Sequence, residues 1–235
     1  RPGRMRCSGA VRRVRGEPMR KAKIPDVVVR RLPLYLRAVE DFDRREHVIV
    51  SSKELGDFTG LTPAQVRKDL TFFGEFGKQG IGYDVKFLRI QLREILRLGS
   101  DVHIGLAGFG NLGQALVHYH VDARSRLGTR FPVSPDRLRI VAAFDVDPDK
   151  IGSVYAGVPI FHIDQLAEKA QEYGLRIMVN AVPAEHAQEV VDRIVACGIR
   201  SILNFAPVTL NVPENVRVHS ADLTLELQSL AYYAE

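Results

Sequence analysis

The stretch "DVHIGLAGFGNLGQAL" at residues 101–116 passes from an apolar run through glycines into a helix-forming segment. Gly108, Gly110 and Gly113 fill the spacing G-x-G-x-x-G. In that spacing the first glycine permits a tight turn and the second lets a pyrophosphate approach the backbone. The third lets helix and strand pack closely. The motif is weak alone and takes its meaning from the strand before it and the helix after it. Gly108, Phe109, Gly110, Asn111, Leu112 and Gly113 are therefore the candidate phosphate loop of a dinucleotide-binding unit.

Working outward, a second apolar run, "RIVAAF", ends at Asp145, with Val146 beside it. An acid at that point can bind both ribose hydroxyls of an adenosine and repels a 2′-phosphate. No Arg or Lys stands directly beside it, which favours NAD(H) over the phosphorylated forms. Asp145 lies about 35 residues beyond the glycines, against a usual ~20, and an inserted loop at 121–138 accounts for the excess. A plain turn aspartate is the competing reading. Further strand and helix patterns alternate to the C-terminus, so a doubly wound parallel sheet of about six or seven strands is expected. Ligands bind outside the carboxyl ends of such strands, which nominates Ala181, Val182 and Pro183, and also Asn204–Pro207, for the nicotinamide side.

Ahead of this lies a different pattern. Leu32, Tyr35, Leu36, Val39 and Phe42 recur at helical spacing, with Pro33 expected to start or kink the helix. "SSKELGDF" opens with a capping box, Ser51 to Glu54. "TPAQVRKDLTFFG" then offers Thr62 as N-cap, Pro63 at the first helical position and Gln65 for a second capping box. Two short capped helices with a brief break between them read as a helix-turn-helix. On the second, Val66, Leu70 and Phe73 are expected to pack inward, leaving Ala64, Arg67, Lys68 and Thr71 outside. Adjacent cations among small side chains suit the major groove, although a solvated face has the same composition. "EFGKQGIGYDV" supplies glycines for a hairpin whose tip would carry Lys78, Gln79 and Tyr83, as in the wing of a winged helix. The candidate DNA contacts are thus Ser52, Thr62, Gln65, Arg67, Lys68, Lys78, Gln79 and Tyr83. A further helix from Phe87 to Leu98 is expected to link the two parts.

Composition bounds these readings. The 235 residues suffice for one large or two modest domains, and 46% hydrophobic with 26% charged content is ordinary for a globular chain. The formal charge of +5 divides as +6 for residues 1–20, +4 for 21–98 and −5 for 99–235. The alkaline balance thus owes much to the first twenty residues, whereas the contrast between the other parts places a polyanion contact at one end. No apolar run is long enough to span a membrane and no secretory h-region opens the chain. Two cysteines, Cys7 and Cys197, are too few for a disulfide framework or a thiol-rich zinc site, so a cytoplasmic setting and no metal are expected. Residues 1–20 read as a basic arm, as expression-derived sequence, or as an over-long reading frame with Met19 the natural start.

A dehydrogenase would need more than this. About 135 residues cover the dinucleotide fold alone, and no substrate domain or evident catalyst accompanies it. His118 and His120 read as surface or interface residues, His103 and His186 have no evident partner, and Cys197 reads as packing.

The stretches "RLPLYLR", "TPAQVRKDLTFFGEFGKQGIGY", "GLAGFGNLGQAL", "FDVDPDKIG", "GVPI", "ILNFAPVTLNVPENV" and "DLTLELQSL" closely resemble the Rex family of bacterial redox-sensing transcriptional repressors. They follow family order over roughly residues 24–233. The resemblance implies an N-terminal winged-helix DNA-binding domain (21–98), a Rossmann NAD(H)-binding domain (99–220) and a C-terminal helix swapped between subunits (221–235). It implies a homodimer on inverted-repeat operator DNA, released by NADH, with NAD⁺ competing for the same site as an effector rather than a reactant. Family redox-sensing contacts fall on Arg31, Tyr119 and Asp222. Leu223 stands where some members carry an aromatic residue, so stacking on the nicotinamide is not carried over. An NAD-dependent oxidoreductase and a nucleotide- or CoA-binding module are the alternatives.

Overall fold

The computed structural model describes residues 24–78, 80–125 and 137–234, which form two compact units meeting in sequence at Leu92 and Arg93. The basic stretch 1–20, Gln79 and most of the inserted loop lie outside the described residues.

In the first unit the order is α1 (Asp26–Arg44), β1 (Ile49–Val50), α2 (Ser52–Thr59), α3 (Pro63–Thr71), β2 (Gly77–Lys78), β3 (Gly82–Asp84) and α4 (Val85–Ile95). The apolar stripe of α1 is buried as its spacing requires, from Leu32 and Tyr35 to Phe42. Pro33 neither starts nor ends that helix but sits inside it. It falls on the exposed side with Val29, where water can serve the carbonyl that proline leaves without a donor. The Ser51 hydroxyl accepts from the Glu54 amide while the Glu54 carboxylate accepts from the Ser51 amide, a closed capping box at the start of α2. Gly60 then turns the chain in a left-handed conformation at φ 72°, which a glycine adopts without strain. Thr62 caps α3 through the Gln65 amide, with Pro63 as its first residue. The second capping box does not form, because the Gln65 side chain is drawn along the helix to Asp69.

Asp69 is the unit's one fully buried charge among the described residues. The Arg31 guanidinium meets it with two nearly parallel bonds, Nε to Oδ2 at 2.5 Å and Nη2 to Oδ1 at 2.8 Å. The Tyr35 hydroxyl donates to Oδ2 at 2.6 Å and Gln65 Nε2 to Oδ1 at 2.6 Å. Asp69 therefore takes the inward place expected of Phe73, which lies beyond the end of α3 and is only partly buried. The carboxylate holds α3 to α1 at one point. Burial pushes its pKa up, but the donors from Arg31, Tyr35 and Gln65 outweigh that and hold it below the usual carboxylate range.

The second unit comprises β4 (Val102–Ala107), α5 (Asn111–Ser125), β5 (Leu138–Asp145), β6 (Val154–Tyr155), β7 (Val158–His162), α6 (Leu166–Glu172), β8 (Leu175–Asn180), α7 (Ala187–Ala196), β9 (Ser201–Asn204), β10 (Arg217–Ser220) and α8 (Leu223–Ala231). The strand order is β10-β9-β8-β4-β5-β7-β6, parallel throughout except for the β6–β7 hairpin. Side chains alternate across the sheet. Ala142, Phe144 and Met178 pack on one face with Leu166 and Ala170 of α6 and Val191 and Ile194 of α7. Ala143 and Val179 pack on the other with Val117 of α5. The strand order reverses direction at β4 and β8, so a crevice opens beyond their carboxyl ends. His103 has a partner after all, since its Nδ1 lies 2.5 Å from the Tyr173 carbonyl oxygen. Cys197 packs half-buried against the core, and burial pushes its thiol pKa up.

Removing one partner of a buried ion pair strands the other, at about 3–5 kcal/mol. Asp69→Ala is therefore expected to lower the unfolding free energy of the first unit by that amount in a denaturant titration; a loss below about 1 kcal/mol would contradict the assignment. Because the folded pKa is depressed, the stability it contributes is present above the unfolded value of about 4 and is lost as pH falls through the folded value. The parent should thus lose more stability than Asp69→Ala as pH falls from about 4 through the folded value.

Candidate functional site

The crevice beyond β4 and β8 is a cleft of about 800 Å³. Gly108, Gly110, Asn111 and Leu112 form its floor, Asp145 and Val146 one side, and Ala181, Val182 and Pro183 the other. Nine residues proposed from the sequence thus converge on one cavity. The glycines divide the work. Gly108 has φ +88° and lies so close to the Ala181 carbonyl that a Cβ would come within 2.7 Å of its oxygen. A Cβ on Gly113 would come within 2.3 Å of the Gly108 carbonyl oxygen, while one on Gly110 would meet nothing within 4 Å. The outer two close the turn and the middle one leaves the loop open at the amino end of α5, whose unpaired amides and dipole favour an anion. Such a loop fits a pyrophosphate. Phe109 faces the other way, buried edge-on against Tyr155, and only its backbone serves the site.

Asp145 accepts three backbone hydrogen bonds: from Phe109 to Oδ2 at 2.6 Å, and from Val146 and Asp147 to Oδ1 at 2.8 and 2.9 Å. It thereby ties the loop after β4 to the loop after β5. The absence of a basic neighbour holds only for the residues immediately beside it. A turn bonded from the Lys150 amide to the Asp147 carbonyl brings the Lys150 ammonium to 3.8 Å from Asp145 Oδ2 and 2.9 Å from Asp147 Oδ2. His162, Asp164, His186, Glu189 and Arg193 also line the cleft, which the sequence reading missed. They arrive on β7 and α7 and in the turns beside them, and no local motif marks them. Asn204 has a different place from the one suggested. It is fully buried, accepting from Asn180 Nδ2 and the Ala206 amide and donating to the Ala206 carbonyl, so it braces the turn after β9.

Three further residues lie off these walls. Tyr119 is exposed on α5, next to the half-buried His120, whose imidazole pKa is lowered by burial. Asp222 caps α8 through the Thr224 and Leu225 amides. Arg31 belongs to the first unit and is engaged by Asp69.

In the first unit a groove of about 950 Å³ runs between the amino end of α2, α3 and the β2–β3 hairpin. Arg67 and Lys68 are exposed on α3, opposite the buried Val66 and Leu70, and the Arg67 guanidinium donates to the Ser52 hydroxyl at 2.8 Å. Thr62 and Gln65 sit at the start of the same helix. Tyr83 is not at the wing tip. It occupies the central strand, paired with Val50 on one side and Gly77 on the other, and its ring is buried. Lys78 lies on β2 and Gln79 outside the described residues.

The family described as putative DNA-binding protein N-terminus matches residues 23–71, and that described as CoA binding domain matches residues 100–208. The redox-sensing transcriptional repressor Rex of Natranaerobius thermophilus is 41% identical over 92% of this chain and 93% of its own. The chain belongs to the Rex family. Among solved structures, the Rex-family repressor RSP in complex with β-NAD⁺ and operator DNA is 31% identical, with a TM-score of 0.79 over 91% of this chain and 93% of that one. RSP in complex with β-NADH is 29% identical, with a TM-score of 0.74 over 91% and 95%. A winged-helix part followed by a Rossmann-like sheet is thus shared with the Rex-family structures, whose relatives are named transcriptional repressors.

The glycine geometry makes a direct prediction. Gly113→Ala should cost about 1–3 kcal/mol of stability by overpacking against the Gly108 carbonyl, whereas Gly110→Ala should cost well under 1 kcal/mol. Denaturant unfolding of the two variants checks it, and a greater loss at Gly110 than at Gly113 would refute it.

Proposed function

We propose that this chain is a DNA-binding transcriptional repressor that reads the cellular NADH/NAD⁺ ratio, occupying inverted-repeat operators and leaving them when NADH binds. The carrying observation is that a cleft with an open glycine loop and an exposed cationic helix occur together in a chain that matches a Rex repressor over 92% of its length. The nucleotide acts as a signal, not a reactant, and the protein has no enzymatic turnover. It works in the cytoplasm, and no described helix is long and apolar enough to cross a membrane.

Each part has a physical role. Arg67 reads a base edge, with guanine the best geometric match, while Lys68 and Lys78 meet phosphates. Ser52, Thr62, Gln65, Gln79 and Tyr83 complete the DNA-side set, with Ser52 holding the Arg67 guanidinium and Tyr83 shaping the hairpin from within. Gly108–Gly113 cradle the pyrophosphate, Asp145 and Val146 take the adenosine ribose, and Ala181–Pro183 flank the nicotinamide. The molecule is a homodimer. Helix α8 exposes Leu223, Leu225, Leu227 and Leu230, followed by Tyr232 and Tyr233, and buries no residue of its own. Such a stripe needs a cover, and exchange of this helix with a second copy supplies one.

The switch draws on Arg31, Tyr119 and the partner's Asp222. NAD⁺ carries a positive ring charge that a carboxylate attracts, and NADH does not. A single carboxylate cannot fully serve both that ring and Arg31. Arg31 already gives two of its five N–H donors to Asp69 on the recognition helix, so a second carboxylate drawn to the remaining donors competes with Asp69 for the same charge. A charge-assisted bond of about 1.5–3 kcal/mol suffices to move a two-state equilibrium by an order of magnitude or more.

The test of the function is an electrophoretic shift on an inverted-repeat duplex that the protein itself selects from random sequence. NADH should release the duplex while NAD⁺ in excess restores it; identical retention under both would overturn the proposal. On the same duplex, Arg67→Ala should cost roughly 1–3 kcal/mol of binding and relax specificity. An unchanged shift for Arg67→Ala/Lys68→Ala would remove α3 from the interface. Asp222→Ala should keep ADP-ribose affinity but need a different NADH/NAD⁺ ratio for release; the parent's ratio would make the cluster structural only.

A further inference from the structure

We infer that Lys150 is the second ribose-reading residue of the cleft, sharing with Asp145 both the recognition of the adenosine hydroxyls and the choice between NAD(H) and its 2′-phosphorylated form. The inference rests on the cleft's being the NAD(H) site. A carboxylate offers about four acceptor positions. Three of those on Asp145 are taken by the Phe109, Val146 and Asp147 amides, two of them on Oδ1. The remaining one, on Oδ2, can accept from a single ribose hydroxyl, so the second hydroxyl needs another partner.

Lys150 is the group placed to be that partner. Its ammonium lies 3.8 Å from Oδ2, beyond a direct hydrogen bond, and is steadied by Asp147 at 2.9 Å. Its side chain is one-third exposed and lines the cleft, so it has donors to spare for a hydroxyl oxygen. The other cation on the wall, Arg193, is already held by Asp164 and Glu189. The ribose edge thus carries two carboxylates and one ammonium, a net charge of −1. That repels a 2′-phosphate, but less than Asp145 and Asp147 would alone. Removing Lys150 and removing the charge of Asp145 should therefore move the NADH/NADPH preference in opposite directions.

The experiment measures ADP-ribose, NADH and NADPH binding to the full chain by calorimetry. ADP-ribose carries the ribose and pyrophosphate without the nicotinamide. Lys150→Met should weaken ADP-ribose and NADH roughly tenfold, the lower range for a charge-assisted bond open to water, and weaken NADPH at least as much. Lys150→Arg, which keeps the charge, should stay within about threefold of the parent. Asp145→Asn should weaken ADP-ribose and narrow the NADH/NADPH gap. Unchanged ADP-ribose binding in Lys150→Met overturns the inference, as does an equal loss in Lys150→Met and Lys150→Arg, which would mark a purely structural role. Unchanged ADP-ribose binding in Asp145→Asn overturns more, because the ribose is then elsewhere and the reading of the cleft fails with it.

Discussion

A carboxylate withdrawn from water must find its donors inside the chain, and in both units that requirement sets the geometry of the working surface. Asp69, on the inner face of α3, collects Arg31, Tyr35 and Gln65 and so fixes the helix that presents Arg67 and Lys68. Asp145, at the end of β5, collects three backbone amides and so joins the glycine loop to the turn that delivers Lys150. Neither is dispensable packing. Each carboxylate converts a nearby loop or helix into a platform with one orientation.

The two arrangements have different consequences. The donors around Asp145 are mostly backbone, so the site is built into the path of the chain. The donors around Asp69 are side chains, and the strongest of them, Arg31, sits on a different helix. A side-chain pair can exchange partners where a backbone bond cannot. This is why the first unit is the natural place for a switch and the second the natural place for a sensor. Coupling then requires only that the reduced cofactor favour an arrangement in which α3 is held differently.

Much of this was legible in the sequence because it depends on local chemistry. Glycine spacing between a strand and a helix announces a phosphate loop, and Ser51 with Glu54 announces a helix start, since their physical causes span a few residues. The apolar stripe of α1 was equally plain. What escaped was set by distant partners. Asp69 falls three residues after Val66, on the apolar face, but the partner that makes its burial tolerable, Arg31, comes from α1, 38 positions away. Gln65 has the spacing of a capping-box residue, and it turns instead to Asp69, one turn along α3, which is inward-facing only because Arg31 meets it from α1. Tyr83 cannot be told from a tip residue by pattern, because a three-residue strand carries too short an alternation to show which side is inward. Lys150 was hidden by five positions of separation from Asp145, which a single turn removes.

If the two sites act on one another, their coupling is a free energy and must be reciprocal: whatever factor NADH takes from operator affinity, operator DNA must take from NADH affinity. The most direct measurement is NADH binding to the full chain, followed by nucleotide fluorescence, with and without saturating inverted-repeat duplex. The duplex should weaken NADH by the factor by which NADH weakens the duplex, at least about tenfold, and Arg67→Ala/Lys68→Ala should abolish the effect of the duplex. An NADH affinity unchanged by bound DNA would contradict this coupling, leaving a DNA-binding unit and a nucleotide-binding unit that share a chain without sharing a signal.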